Sequence, residues 1–81
     1  MRIIAELPHP DCKISIFAMN QKFIIKFEQG VLEQSFKLAE TDVVDGVNGV
    51  FELLDETFIN EVVQHFTLMR KSFLSAYNRY E

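Results

Sequence analysis

His9, Asp11 and Cys12 are the residues whose types and close spacing come nearest to a metal or thiol site. All three side chains are of kinds that bind zinc. Zinc sites usually use paired Cys or His motifs, however, and this chain has one Cys and only one other His, His65. Turns also recruit His and Asp beside Pro, which stands at positions 8 and 10. We therefore expect no metal here, and we expect Cys12 to act as a small core residue.

Asp42, Asp45 and Asn48 form a second group of potential ligands, here for calcium. An EF-hand loop places its ligands at alternate positions, whereas these residues are three apart, as caps and turns require. For catalysis we find no Ser or Cys with a His partner, and caps, charge rows and solvated faces account for the carboxylates. The sequence therefore predicts no cofactor and no enzymatic activity.

Apolar side chains at two exposed places are better suited to recognition. One group lies on the charged face of a predicted sheet, and the other lies on the second half of a predicted C-terminal helix. The six residues are Phe17, Met19, Ile24, Phe73, Tyr77 and Tyr80. Aromatic anchors framed by charge are typical of protein interfaces. They predict a non-enzymatic interaction module whose partner is a second copy or another protein, although scattered surface apolar residues and a fraying terminal turn would look the same.

A second hypothesis is a small-ligand site between the sheet and the helix. Gln34 falls on the apolar face of the sheet, where a buried amide needs a hydrogen-bonding partner. A pocket would use Gln34 as its polar group, with Phe23, Ile25, Phe36 and Phe66 as its lining. Alternatively, Gln34 bonds a helix end or reaches water from an edge strand.

Positioning these residues requires an antiparallel meander of four strands at 2–7, 12–19, 22–29 and 31–38. These segments are rich in β-branched and aromatic residues, and we place a loop at Pro8–Asp11 with tight turns at Asn20–Gln21 and Gln29–Gly30. One face then collects the apolar residues, because side chains alternate with period two. They are Ile3, Ala5, Leu7, Cys12, Ile14, Ile16, Ala18, Phe23, Ile25, Phe27, Leu32, Phe36 and Leu38.

The same register pairs charges across the other face. It sets Glu6 opposite Lys13, Lys13 opposite Glu28, and Lys26 opposite Glu33, each pair contributing about 0.2–1 kcal/mol. It also sets Phe17 opposite Ile24, with Ile4 nearby on the same face. Two further pairs follow from it: Gln34 opposite Ile25, and the like charges Lys22 and Lys37.

After a loop at 39–46 we predict a short helix at 47–54, with Asp45 as a possible cap, and a long helix at 56–79. Asp55 or Thr57 can cap the long helix. Its apolar residues recur at alternating spacings of three and four: Ile59, Val62, Phe66, Met69, Phe73, Ala76 and Tyr80. A rod of about 37 Å is longer than strands of about 27 Å, so the helix runs diagonally or overhangs the sheet. The predicted fold is a two-layer α+β domain.

Composition bounds the remaining choices. Eighty-one residues, 48% of them hydrophobic, suit a single domain spanning 1–81 with one small core. A net charge of −4 argues against nucleic acid and against anionic membranes. The lone cysteine excludes an internal disulfide, and no signal peptide or spanning segment is evident, so we expect a cytoplasmic protein.

Overall fold

The computed structural model describes residues 1–80 and confirms the predicted α+β architecture: an antiparallel sheet in the order β1-β2-β3-β4 and a long C-terminal helix. Along the chain, two short helical segments follow the last strand and precede that helix. The elements are β1 (Arg2–Leu7), β2 (Lys13–Met19), β3 (Lys22–Gln29), β4 (Leu32–Ala39), a 3₁₀ turn (Glu40–Asp42), α1 (Val47–Leu53) and α2 (Glu56–Tyr80). The 3₁₀ turn occupies part of the segment predicted as a loop.

In the first hairpin, Ala5, Glu6 and Leu7 of β1 each pair with a β2 residue two positions later in the chain than predicted. Leu7 pairs with Ile14, so Glu6 faces Ser15 and not Lys13. The physical reason is that the proline-containing loop keeps Cys12 out of the ladder, and a shift of two preserves the inner face. The register also shifts between Ile3 and Ala5, which is typical of a β-bulge.

The bulge exchanges the roles predicted for two neighbouring residues. Ile3 was expected in the core, but it faces Phe17 on the outer face and is 55% exposed. Ile4 was expected outside, but it packs against the core. One unpaired residue is enough to reverse the faces of the residues beyond it, because strand side chains alternate.

The second hairpin has the predicted register, including the Phe17–Ile24 and Lys13–Glu28 pairs. Its turn residues Asn20 and Gln21 have φ of 51° and 63°, as a type I′ turn requires.

The third hairpin turns at Gly30–Val31, one residue after the predicted position. Gly30 alone takes the positive φ there, 61°, so the partners on β4 shift by two. Lys26 therefore faces Ser35 and not Glu33, and Glu28 faces Glu33. Lys26 instead approaches Glu28 on its own strand, with Nζ 3.9 Å from Oε1.

That shift also changes two other predicted pairs. Lys22 faces Ala39 rather than Lys37, which removes a like-charge pair, and Gln34 faces Phe27 rather than Ile25. Gln34 stays on the inner face, because a shift of two leaves the alternation unchanged.

Of the predicted helix caps, one is confirmed and one is wrong. The Phe58 backbone N–H donates to Asp55 Oδ1 at 2.8 Å, so Asp55 caps α2. Asp45 does not cap α1: Gly46 holds the N-cap position without a side-chain bond, and Asp45 itself has φ of 65°. Gly49 is buried in α1, where an added Cβ would collide with the Val44 carbonyl oxygen.

The core lies between the inner face of the sheet and the first half of α2. Its fully buried large side chains are Phe27, Phe66, Ile14, Ile16, Ile25, Val50 and Val62. Phe27, Phe36 and Phe58 form an edge-to-face cluster with ring centroids 5.4–5.9 Å apart. Within the described residues, no helix combines the length and apolar character needed to cross a membrane.

Candidate functional site

The length of α2 allows it to run diagonally along the strands or to overhang the sheet, and the exposure of its C-terminal part favours the overhang. Every residue from Arg70 to Tyr80 is exposed, and we call this segment the overhang. It continues the apolar stripe that Val62 and Phe66 bury on the sheet. The result is an amphipathic rod whose apolar face is covered for one half of its length only.

Three predicted interface residues lie together along the overhang. Phe73, Tyr77 and Tyr80 are 55%, 50% and 85% exposed. Their rings follow one another, with centroids 6.5 Å apart for Phe73–Tyr77 and 6.3 Å apart for Tyr77–Tyr80. Leu74 adds further exposed apolar surface. This aromatic row is the kind of exposed surface that anchors a protein interface.

A cleft lies at the opposite end of α2, between its first turns, α1 and the outer strand β4. This open cleft has a volume of about 530 Å³. Its apolar lining comprises Ile25, Phe36, Leu38, Leu53 and Phe58. Glu52, Asp55 and Glu61 stand around the lining, with Lys37 as the one base among the lining residues. We call this feature the acidic cleft.

The remaining three predicted interface residues are less accessible. Ile24 is 8% exposed despite lying on the outer face of the sheet, and Phe17 and Met19 are half-buried. Lys26 extends over Phe17, with Nζ 5.4 Å from the ring centroid, which is cation–π geometry. The neighbouring side chains therefore cover part of this patch and leave less surface for a partner than the overhang does.

The residues of the predicted ligand pocket do not form one cavity. Ile25 and Phe36 both line the acidic cleft, where Phe36 is the more exposed, whereas Phe23 and Phe66 are packed in the core and do not line it. Gln34, the polar group of that alternative pocket, donates its Nε2 hydrogen bond to the Val62 carbonyl oxygen of α2 at 2.9 Å. The amide thus joins β4 to the middle of the helix.

The first loop satisfies its polar groups internally. The Asp11 backbone N–H donates to His9 Nδ1 at 3.1 Å, and Gln29 Nε2 donates to the Asp11 carbonyl oxygen at 2.8 Å. Burial raises the pKa of the Cys12 thiol, and the charge of Asp11 adds to that rise. Across residues 1–80, no three His, Cys, Asp or Glu side chains are grouped to hold a metal ion.

Sequence reasoning missed the acidic cleft. Its acids come from α1 and from the first turns of α2. In a sequence, acids at such positions are explained as helix caps and as complements to the helix dipole. The available signal was the density of acids at 52–61 beside the exposed Leu53. Which strand the cleft opens against depends on helix placement, which the pattern does not fix.

No family model, curated protein or solved structure matches this chain.

Proposed function

We propose that this chain is a non-enzymatic protein-interaction module that functions as a homodimer. The observation that supports the proposal is the overhang, because it carries an aromatic row with about half or more of each ring exposed. Isolated exposed apolar residues are ordinary, but a contiguous row on a protruding helix is typical of a binding surface. A reducing cytoplasm suits the module, since its single cysteine is buried and free.

The test is the molar mass by light scattering coupled to size exclusion, over a dilution series. We expect a dimer at micromolar concentrations that dissociates on dilution. Phe73→Ser combined with Tyr77→Ser removes two rings of the row without touching the core, so we expect a monomer that stays folded. Val44→Ser is the matched control, because Val44 is 82% exposed and lies outside both the overhang and the acidic cleft.

A wild-type protein that is monomeric at every concentration would refute the homodimer. A dimer that survives the double substitution would place its interface elsewhere, with the half-buried Phe17 and Met19 and the free edges of β1 and β4 as the next surfaces to test. Far-UV circular dichroism accompanies each variant, so that loss of the fold is not mistaken for loss of association.

The second candidate function, a ligand-binding domain, is favoured by the apolar lining of the acidic cleft. Thermal shift against a metabolite library tests it, with Phe36→Ala as the variant, because Phe36 lines the cleft and is partly exposed. A reproducible shift that the variant loses supports a ligand. No shift across the library counts against this function.

A further inference from the structure

We infer that each copy of the homodimer docks its overhang in the acidic cleft of the other copy. This inference rests on the proposed homodimer and specifies its contacts. The two surfaces have the complementary properties that such an exchange needs: a basic aromatic rod and an acidic apolar depression.

The charge of the chain is divided between its two parts. Residues 70–80 contain Arg70, Lys71 and Arg79 and no acid, so the overhang carries +3. Residues 1–69 hold eleven of the acids and five of the bases, which gives −6. Two overhangs packed directly on each other would repel, whereas an overhang beside Glu52, Asp55 and Glu61 is attracted.

Within residues 1–80, the bases of the overhang and the acids of the cleft form no ion pair. Among the described residues the single ion pair joins Lys26 to Glu28, on the outer face of the sheet. The bases of the overhang, and Glu52 and Glu61 of the cleft, are therefore available to a second copy. Arg79 makes a hydrogen bond to Ser75 Oγ at 2.8 Å, which leaves its other guanidinium N–H groups free to donate.

The exposed area fits a stable dimer. At about 200 Å² for each ring, the exposed fractions of Phe73, Tyr77 and Tyr80 leave roughly 400 Å² of aromatic surface per overhang. The lining of the cleft supplies only part of an equal area, so an interface of standard size, about 1,500 Å² in total, also requires the surface around the cleft. A single overhang docked on an unrelated surface would bury about half as much.

The reach of the helix permits both contacts at once. The middle of the overhang and the part of α2 that borders the cleft are about 17 residues apart, or about 25 Å along the helix. Two antiparallel α2 helices with their two-fold axis near Phe66 to Leu68 place each overhang beside the other cleft. Leu68, which is exposed on this helix, then lies near the axis. The aromatic row can cover Phe36 and Leu38 of the other copy.

Charge reversal tests the arrangement. The overhang variant is Lys71→Glu with Arg79→Glu, and the cleft variant is Glu52→Lys with Glu61→Lys. Each alone places like charges in contact, so we expect the dimer dissociation constant to rise about tenfold or more. Asp55 is left intact because it caps α2.

An equimolar mixture of the two variants is the decisive sample. In a reciprocal dimer of one variant with the other, both overhang–cleft contacts have opposite charges again, so we expect a dissociation constant within about threefold of the wild type. The control is Arg2→Glu with Lys22→Glu, which makes the same change of net charge as the overhang variant and should leave the dissociation constant unchanged.

The outcomes separate this arrangement from the homodimer itself. A wild type that never dimerises overturns both proposals. A dimer that tolerates both variants, or variants whose mixture stays monomeric, overturns the overhang–cleft contact alone. Salt gives a measurement that needs no variant: raising NaCl from about 50 to 500 mM should weaken the dimer, and an unchanged or strengthened dimer also overturns the contact.

Discussion

Gln34 makes the one polar side-chain bond between the sheet and α2 among the described residues, and its replacement tests that contact quantitatively. A neutral hydrogen bond contributes about 1 kcal/mol net. Gln34→Leu loses this bond but gains apolar contact beside Val62 and Phe27, at up to about 1 kcal/mol. We therefore expect its free energy of unfolding to stay within about 0.5 kcal/mol of the wild type.

Gln34→Glu has the same shape but reverses the interaction at pH 7. An ionised carboxylate would face the Val62 carbonyl oxygen without a proton to donate, in a half-buried position. The lost bond and the desolvation of the charge together cost about 2–3 kcal/mol. Gln64→Glu makes the same chemical change at an exposed position of α2, so it should cost less than about 0.5 kcal/mol.

The stability of Gln34→Glu should depend on pH, because the introduced carboxyl can lose a proton. Burial beside a carbonyl oxygen raises the pKa of the introduced carboxyl in the folded protein above its unfolded value of about 4.3. Its protonated form can donate to Val62, so stability is retained below the unfolded pKa and is lost as pH rises through the folded pKa. Urea unfolding at pH 4 and pH 7, each compared with the wild type at the same pH, measures this. A Gln34→Glu protein as stable as the wild type at pH 7 would refute the bond.

Three further predictions concern single positions. Phe27→Ala should lower the free energy of unfolding by about 3–5 kcal/mol, because Phe27 is fully buried. Phe73→Ala should lower it by less than about 0.5 kcal/mol, measured by urea unfolding of the dilute monomer. Equal losses for the two variants would contradict the exposure of Phe73 on the overhang. Gly49→Ala should cost about 1–3 kcal/mol despite its better helix propensity, because the new methyl meets the Val44 carbonyl, and a stabilised variant in the same assay would disprove the clash. Cys12 should react with a thiol reagent at pH 8 far more slowly in the folded than in the urea-unfolded protein, since its pKa is raised and it is buried; equal rates would show the thiol to be open.

The fold was predictable because its signals are local. Alternation fixed which face each central-strand residue occupies, and the three–four spacing fixed α2 from Glu56 onward. Registers at the hairpins were less determined, because a shift of two residues conserves both faces and therefore costs no apolar burial. The bulge at Ile3–Ala5 leaves no mark in composition, so exchanging Ile3 with Ile4 was beyond pattern reasoning.

The candidate site was likewise predictable in part. Phe73, Tyr77 and Tyr80 were identifiable because the apolar stripe continues past the length of the sheet. The exposure of Phe17 and Ile24 was overestimated, since pattern reasoning ignores how far a neighbouring Lys26 stem can cover a ring. The acidic cleft depends on how α1 sits against β4, a tertiary arrangement to which no periodicity is sensitive.

The strand order carries a kinetic consequence. Because each strand pairs with its neighbour in the chain, the sheet can form hairpin by hairpin with short loop closures, and such topologies fold fast for β structure. The contacts of α2 with the sheet, such as Phe58 with Phe27 and Val62 with Gln34, join residues much farther apart in the chain, so we expect the helix to dock after the hairpins have formed. Until then the inner face of the sheet is uncovered, so newly made chains at high concentration pass through a brief aggregation-prone interval, and faster docking of the helix shortens it.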